Sequence, residues 1–151
     1  MGFLDKLKSV KNFVTGGGAK VSVQIGQPAL GQPIPVLVRA QVDSAPINAA
    51  KVYVAIRAVE SIHMVVRDQD TPGDKDRVQT SDTTFSQEFV IAGPQQLAAG
   101  SSHEWQGQIM IPPGVQPTYQ GKNAKHEWSV LAALDVTGND PDSGWIEFVL
   151  R

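Results

Sequence analysis

The triplet His-Glu-Trp occurs twice, at His103-Glu104-Trp105 and at His126-Glu127-Trp128. Two imidazoles and two carboxylates are the ligand types of a zinc site, but a site needs them to converge at about 2 Å on one ion. Each triplet opens a strand-like run, and consecutive strands of a sandwich run antiparallel. The two starts are therefore expected at opposite ends, with Trp105 and Trp128 in phase with the apolar faces as core anchors. A second cluster is acidic: Asp68, Asp70, Asp74 and Asp76 around Gly73. The spacing Asp68-x-Asp70-x-x-Gly73 has the start of a calcium loop. It fails at the fifth position, Pro72, and at the twelfth, Gln79. Asp140 and Asp142 lie in another loop, so Asp68, Asp70, Asp140 and Asp142 are the weakest-supported metal candidates, and a solvated loop is the preferred reading. Ser61 and His63 share one face of a strand but lack an orienting acid. No G-x-S-x-G elbow, P-loop or G-x-G-x-x-G occurs, and the absence of cysteine excludes thiol catalysis and cysteine-ligated metals. The residues imply no enzyme, no catalytic set and no cofactor.

The elements that hold these residues are strands. Apolar residues alternate along Val21, Val23, Ile25, then Ile34, Val36, Val38, Ala40, Val42, then Val52, Val54, Ile56, Ala58. The pattern returns at Phe85, Phe89, Ile91, at Trp105, Gly107, Ile109, Ile111, at Trp128, Val130, Ala132, Leu134, Val136, and at Ile146, Phe148, Leu150. Strict alternation puts one face in a core and the other toward solvent. Proline and glycine turns separate the runs, among them Asp70-Thr71-Pro72-Gly73 and Pro112-Pro113-Gly114. Seven or eight such strands, with no βαβ unit, predict an all-β antiparallel sandwich of immunoglobulin-like kind.

Residues 1–15 follow a different period. Phe3, Leu7, Val10 and Val14, with Leu4 and Phe13 beside them, recur at helical spacing, and Lys6, Lys8 and Lys11 fill the other face. Three lysines against Asp5 give residues 1–14 a charge of +2. Gly16-Gly17-Gly18 ends this amphipathic helix and forms a hinge. The expected organisation is a helix and hinge over residues 1–18 and one sandwich over 19–151, with no room for a second domain. Three roles for the helix stand open: docking on its own sandwich, binding or swapping onto another subunit, and lying on an anionic membrane surface.

Length and composition narrow the class. The 151 residues are 41% hydrophobic and 19% charged, enough apolar material for one core. A net charge of -2 supplies no field for nucleic acid, so no nucleic-acid partner is expected. No apolar run approaches ~20 residues, and the lysine-rich N-terminus is unlike a secretory signal, so a cytoplasmic, at most membrane-peripheral, protein is expected.

The run Ile111-Pro112-Pro113, then Pro117-Thr118-Tyr119-Gln120-Gly121, then Trp128 to Leu134-Asp135-Val136, resembles the N-domain of the arrestin superfamily. The following Asn139-Asp140-Pro141-Asp142 turn is similar to the bacterial arrestin-like branch, which includes sporulation-control proteins. The resemblance implies a non-enzymatic scaffold or regulator that meets protein partners through sheet surfaces and loops, with stress or developmental control as its setting. Two departures limit it. One sandwich stands where arrestins have two, and Gly114-Val115 after Pro112-Pro113 excludes a PPxY motif. Read physically, Pro112, Pro113 and Pro117 stiffen a strand connection, and Gly121 allows a turn that a side chain would block. Tyr119 is expected to tuck its ring beneath that connection and bond through its hydroxyl. Open sheet edges make homo-oligomers, through the helix or an added strand, a natural form of partner binding.

Overall fold

The structure, a computed structural model, describes residues 18–67, 73 and 75–151. The expected helix, with Phe3, Leu4, Lys6, Leu7, Lys8, Val10, Lys11, Phe13 and Val14, lies outside the described residues, as do Asp68, Asp70 and Asp74. What is described is all-β. The strands are β1 (Ala19–Ile25), β2 (Pro33–Val42), β3 (Ile47–Ala49), β4 (Val52–Arg67), β5 (Lys75–Ala92), β6 (Gln95–Leu97), β7 (Ser102–Met110), β8 (Tyr119–Gln120), β9 (Ala124–Leu134) and β10 (Ile146–Phe148).

Two antiparallel sheets face each other across one core. The smaller has the order β1-β2-β7. The larger runs β10-β9-β4-β5, with β8 also on β9, and β3 pairs with β6. The alternation read from sequence sets the inner faces: Ile34, Val36, Val38, Ala40 and Val42 of β2 oppose Val52, Val54, Ile56 and Ala58 of β4 and Trp128, Val130, Ala132 and Leu134 of β9, all buried. Removing a large member of this set costs about 2–5 kcal/mol, because the cavity adds to the lost transfer energy. The seam between the sheets is closed where β5 meets β7. Gly107 leaves room for Ile91, whose Cδ1 lies 2.9 Å from where a Cβ would stand.

Two expectations are corrected. Three short strands, β3, β6 and β8, are too brief to show a period. More important, β4 and β5 do not end at the sandwich. They continue as 16- and 18-residue strands, so His63 belongs to a projecting hairpin and Ser61 to its base.

A projecting hairpin arm as candidate interaction surface

β9 accompanies β4 only as far as Ile62, which pairs with Ala124. The last bond across that boundary runs from His63 N to Asn123 O, 2.8 Å. Beyond it, His63–Arg67 and Lys75–Gln79 form a two-stranded ribbon, in register from His63↔Gln79 to Arg67↔Lys75. No Gly or Pro interrupts residues 47–67, so nothing in the backbone stops β4 at the edge of the core.

Alternation sorts the arm into two unlike faces. Positions in phase with the core are Glu60, Ile62, Met64 and Val66, opposite Asp82, Thr80, Val78 and Asp76. This face is apolar with an acidic rim. The other face carries Ser61, His63, Val65 and Arg67 opposite Ser81, Gln79, Arg77 and Lys75, and is cationic. Of the eight large hydrophobic residues exposed among those described, three are on this arm, Val65 (52%), Val66 (42%) and Val78 (41%), and Ile62 (37%) stands at its root. Three within a ribbon of ten described residues is a local concentration of exposed apolar surface. At the arm's base, Ser61, His63, Gln79, Lys122 and Lys125 line a shallow polar cleft.

A polar joint fixes the arm to the sandwich. The register of β5 against β4 shifts between Ala58 and Val59, which leaves Thr84 as an extra residue. Its hydroxyl lies 2.6 Å from His126 Nε2 and 3.4 Å from the Ala58 carbonyl. His126 is buried, and its Nδ1 stands 3.0 Å from the Pro117 carbonyl. A carbonyl only accepts, so Nδ1 carries the hydrogen, and in the neutral ring Nε2 accepts from Thr84. Two residues on, buried Trp128 donates Nε1–H to Gln116 O at 2.8 Å, with the two rings edge-on at 5.8 Å. One strand thus ties the proline connection down twice.

The residues singled out in the sequence fall as follows. His103 pairs with Ala40 on the smaller sheet and His126 with Glu60 on the larger, at opposite ends of the sandwich, so the two triplets do not converge. Trp128 is a core anchor. Trp105 is only partly buried and stacks on His103 at 5.8 Å. Pro112 is exposed, Leu134 is buried, and Asp135 bonds Lys51 and Ala50 through its backbone. Tyr119 departs from expectation: its ring is 50% exposed and lies over Gly121. Gly121 serves by its lack of volume, since a Cβ would strike the Tyr119 hydroxyl and come within 3.2 Å of Ala124 O, and its φ is not left-handed.

Asp140 and Asp142 share one loop and build it. Asp140 accepts from Val136 N (2.9 Å) and from the Tyr53 hydroxyl (2.8 Å), and Asp142 caps Gly144 N (2.7 Å). Burial, then the Asp140 hydrogen bond, holds the Tyr53 phenol well above the ordinary tyrosine value of 10.0. No cluster of three or more His, Asp or Glu able to hold a metal occurs among the described residues. The same loop lays Trp145 over Arg57, whose guanidinium carbon is 4.0 Å from the ring centroid. Sequence reasoning missed Ile62, Met64, Val66 and Val78. The signal was present, because the β4 alternation runs on unbroken through Val66.

The crystal structure of the sporulation control protein Spo0M from Bacillus subtilis has a similar fold, with a TM-score of 0.61 and 18% sequence identity over 90% of this chain. This chain spans half the length of that protein. No protein-family model matches the sequence, and no curated protein matches it. The likeness is one of fold, an antiparallel β-sandwich like that of Spo0M. Among the described residues no helix is long and apolar enough to cross a membrane.

Proposed function

We propose that this chain is a non-catalytic protein-interaction module, of scaffolding or regulatory kind, and that it meets its partner through the β4–β5 arm. The observation that carries this reading is the arm itself. A two-stranded ribbon is marginally stable alone in water. This one nonetheless extends well past its last supporting strand with three exposed large hydrophobic residues, Val65, Val66 and Val78. A ribbon of that kind gains stability when a partner covers its face or adds to its edge. The similarity to a sporulation control protein supports a regulatory setting at the level of fold.

The test is site-specific photo-crosslinking in cells, with the reactive group at Val65 on the arm and, for comparison, at exposed Val149 on the sandwich. A discrete protein adduct at Val65 and none at Val149 is the expected result. Absence of any adduct at Val65, in a chain that folds, sinks the reading.

A further inference from the structure

We propose that the partner at the arm includes a second copy of this chain, joined by antiparallel pairing of the free edge of β5 with the same edge of its neighbour. This inference rests on the reading of the arm as an interaction surface and names the occupant.

The edge is defined by backbone direction. His63 N–H points to β9, where Asn123 O accepts it. Amide and carbonyl of one strand residue point to the same side, so those of Met64 point the other way, to β5, and Met64 pairs with Val78. Val78 therefore uses its backbone groups within the arm. Lys75, Arg77, Gln79 and Ser81 present theirs outward, and among the described residues no strand pairs with β5 on that side. This is a row of unpaired donors and acceptors.

A two-fold axis normal to the sheet brings two such edges together antiparallel, each face continuing onto the like face of the neighbour, and charge together with apolar burial then selects the register. Centring on Arg77 sets Arg77 against Arg77, and centring on Gln79 sets Asp76 against Asp82. Centring on Val78 sets Val78 against Val78, Arg77 against Gln79, Asp76 against Thr80 and Lys75 against Ser81, with no like charges opposed from Lys75 to Ser81. Like charges directly opposite destabilise a strand pair, which disfavours the Arg77- and Gln79-centred registers. Of the registers that charge leaves open, such as one centred on Thr80, this one buries the exposed Val78 against its twin and is favoured. It also uses the available backbone groups: Arg77 with Gln79 and Lys75 with Ser81 become the hydrogen-bonded pairs. Val78 faces its twin in the closer, non-hydrogen-bonded position, where Cα atoms stand about 4.5 Å apart. The exposed Val78 side chains are buried against each other, and Ile62, Met64 and Val66 extend the apolar strip on both sides. Two larger sheets become one continuous sheet.

The chain has no cysteine, so a single introduced thiol reports on its own twin. The separation in the centred register suits a disulfide. Under mild oxidation of the full chain, V78C is expected to form a covalent dimer at least tenfold faster than V149C. Q79P provides the second arm of the test. The Gln79 N–H points outward, so proline removes an intermolecular bond and none within β4–β5, and proline is tolerated on such an edge. Q79P is expected to retain its circular dichroism and melting behaviour while its mass by light scattering falls from dimer to monomer. Equal crosslinking rates for V78C and V149C, or a Q79P chain that remains a dimer, overturn the inference. If Val65 photo-crosslinks reproducibly to a different protein while V78C stays monomeric, the interaction reading stands and self-pairing falls.

Discussion

Thr84 and His126, on strands that are not neighbours, meet across β4 through a 2.6 Å contact between hydroxyl and ring nitrogen. The register shift in β5 is what makes this possible, since an unshifted strand has no extra residue to turn inward over Ala58. The joint ties the base of the arm to the proline connection through one imidazole.

Removing that imidazole is expected to be costly. His126→Ala leaves the Pro117 carbonyl without its donor and opens space beside Trp128, for a loss of about 2–4 kcal/mol. Thr84→Val costs about 1–3 kcal/mol, since buried His126 Nε2 loses its donor. Chemical denaturation of the two single variants and the double variant measures the coupling. Additive losses would show that the two groups do not act together.

Gly121→Ala tests whether volume or conformation demands the glycine. The obstacle is mainly the far end of the half-exposed Tyr119 side chain, which can swing outward. The expected loss is about 1 kcal/mol, at the low end of overpacking costs. The double variant with Tyr119→Ala should recover most of the loss attributable to Gly121. Failure to recover it would place the constraint in the backbone near Ala124.

Tyr53 makes stability fall in alkali. Its folded-state pKa is raised above the ordinary 10.0, by burial first and then by the Asp140 bond. The folded state therefore holds its proton more tightly than the unfolded chain. That contribution is complete below about pH 10 and is lost as the pH rises through the folded value. Urea unfolding between pH 9 and 11 should show the decline, and Tyr53→Phe should flatten it.

Glu147 has the same sign of linkage but acts on the acid side, so its benefit is already gone at neutral pH. Partial burial, then the neighbouring Glu127 carboxylate, raises its pKa above the ordinary 4.5. Because the folded state binds this proton more tightly, the benefit is present below about pH 4.5 and disappears as pH rises through the folded value. At pH 7 the two carboxylates repel, so Glu147→Gln should raise the melting temperature at pH 7 and change it little at pH 4. Scanning calorimetry at the two pH values decides this.

Arg57 lies flat on Trp145, and its Nε is buried without a hydrogen-bond partner. Much of its value is then packing of the stem and ring, so Arg57→Met should cost less than Trp145→Ala, by about 1 kcal/mol or more. Paired denaturation curves for the two variants check the order.

What the sequence determined by itself was local. The alternation in β2 and β9 assigns Ile34 to Val42 and Trp128 to Leu134 to an inner face, because side chains on a strand change sides at every residue. The turn residues separate the runs, and no catalytic constellation is written along the chain. The same alternation continues from Ala58 through Ile62 to Val66, yet period alone says only which side a residue takes. Whether a second sheet lies on that side is a matter of tertiary structure, and it makes Ala58 core and Val66 surface. His126 shows the same division. Its phase with Trp128 is legible, but its partners come from Thr84, 42 residues away, and from a carbonyl in the proline connection. Only the assembled sheets bring such distant groups within hydrogen-bond reach. The arm likewise exists only because β9 begins at Ala124, opposite Ile62, while β4 runs on to Arg67.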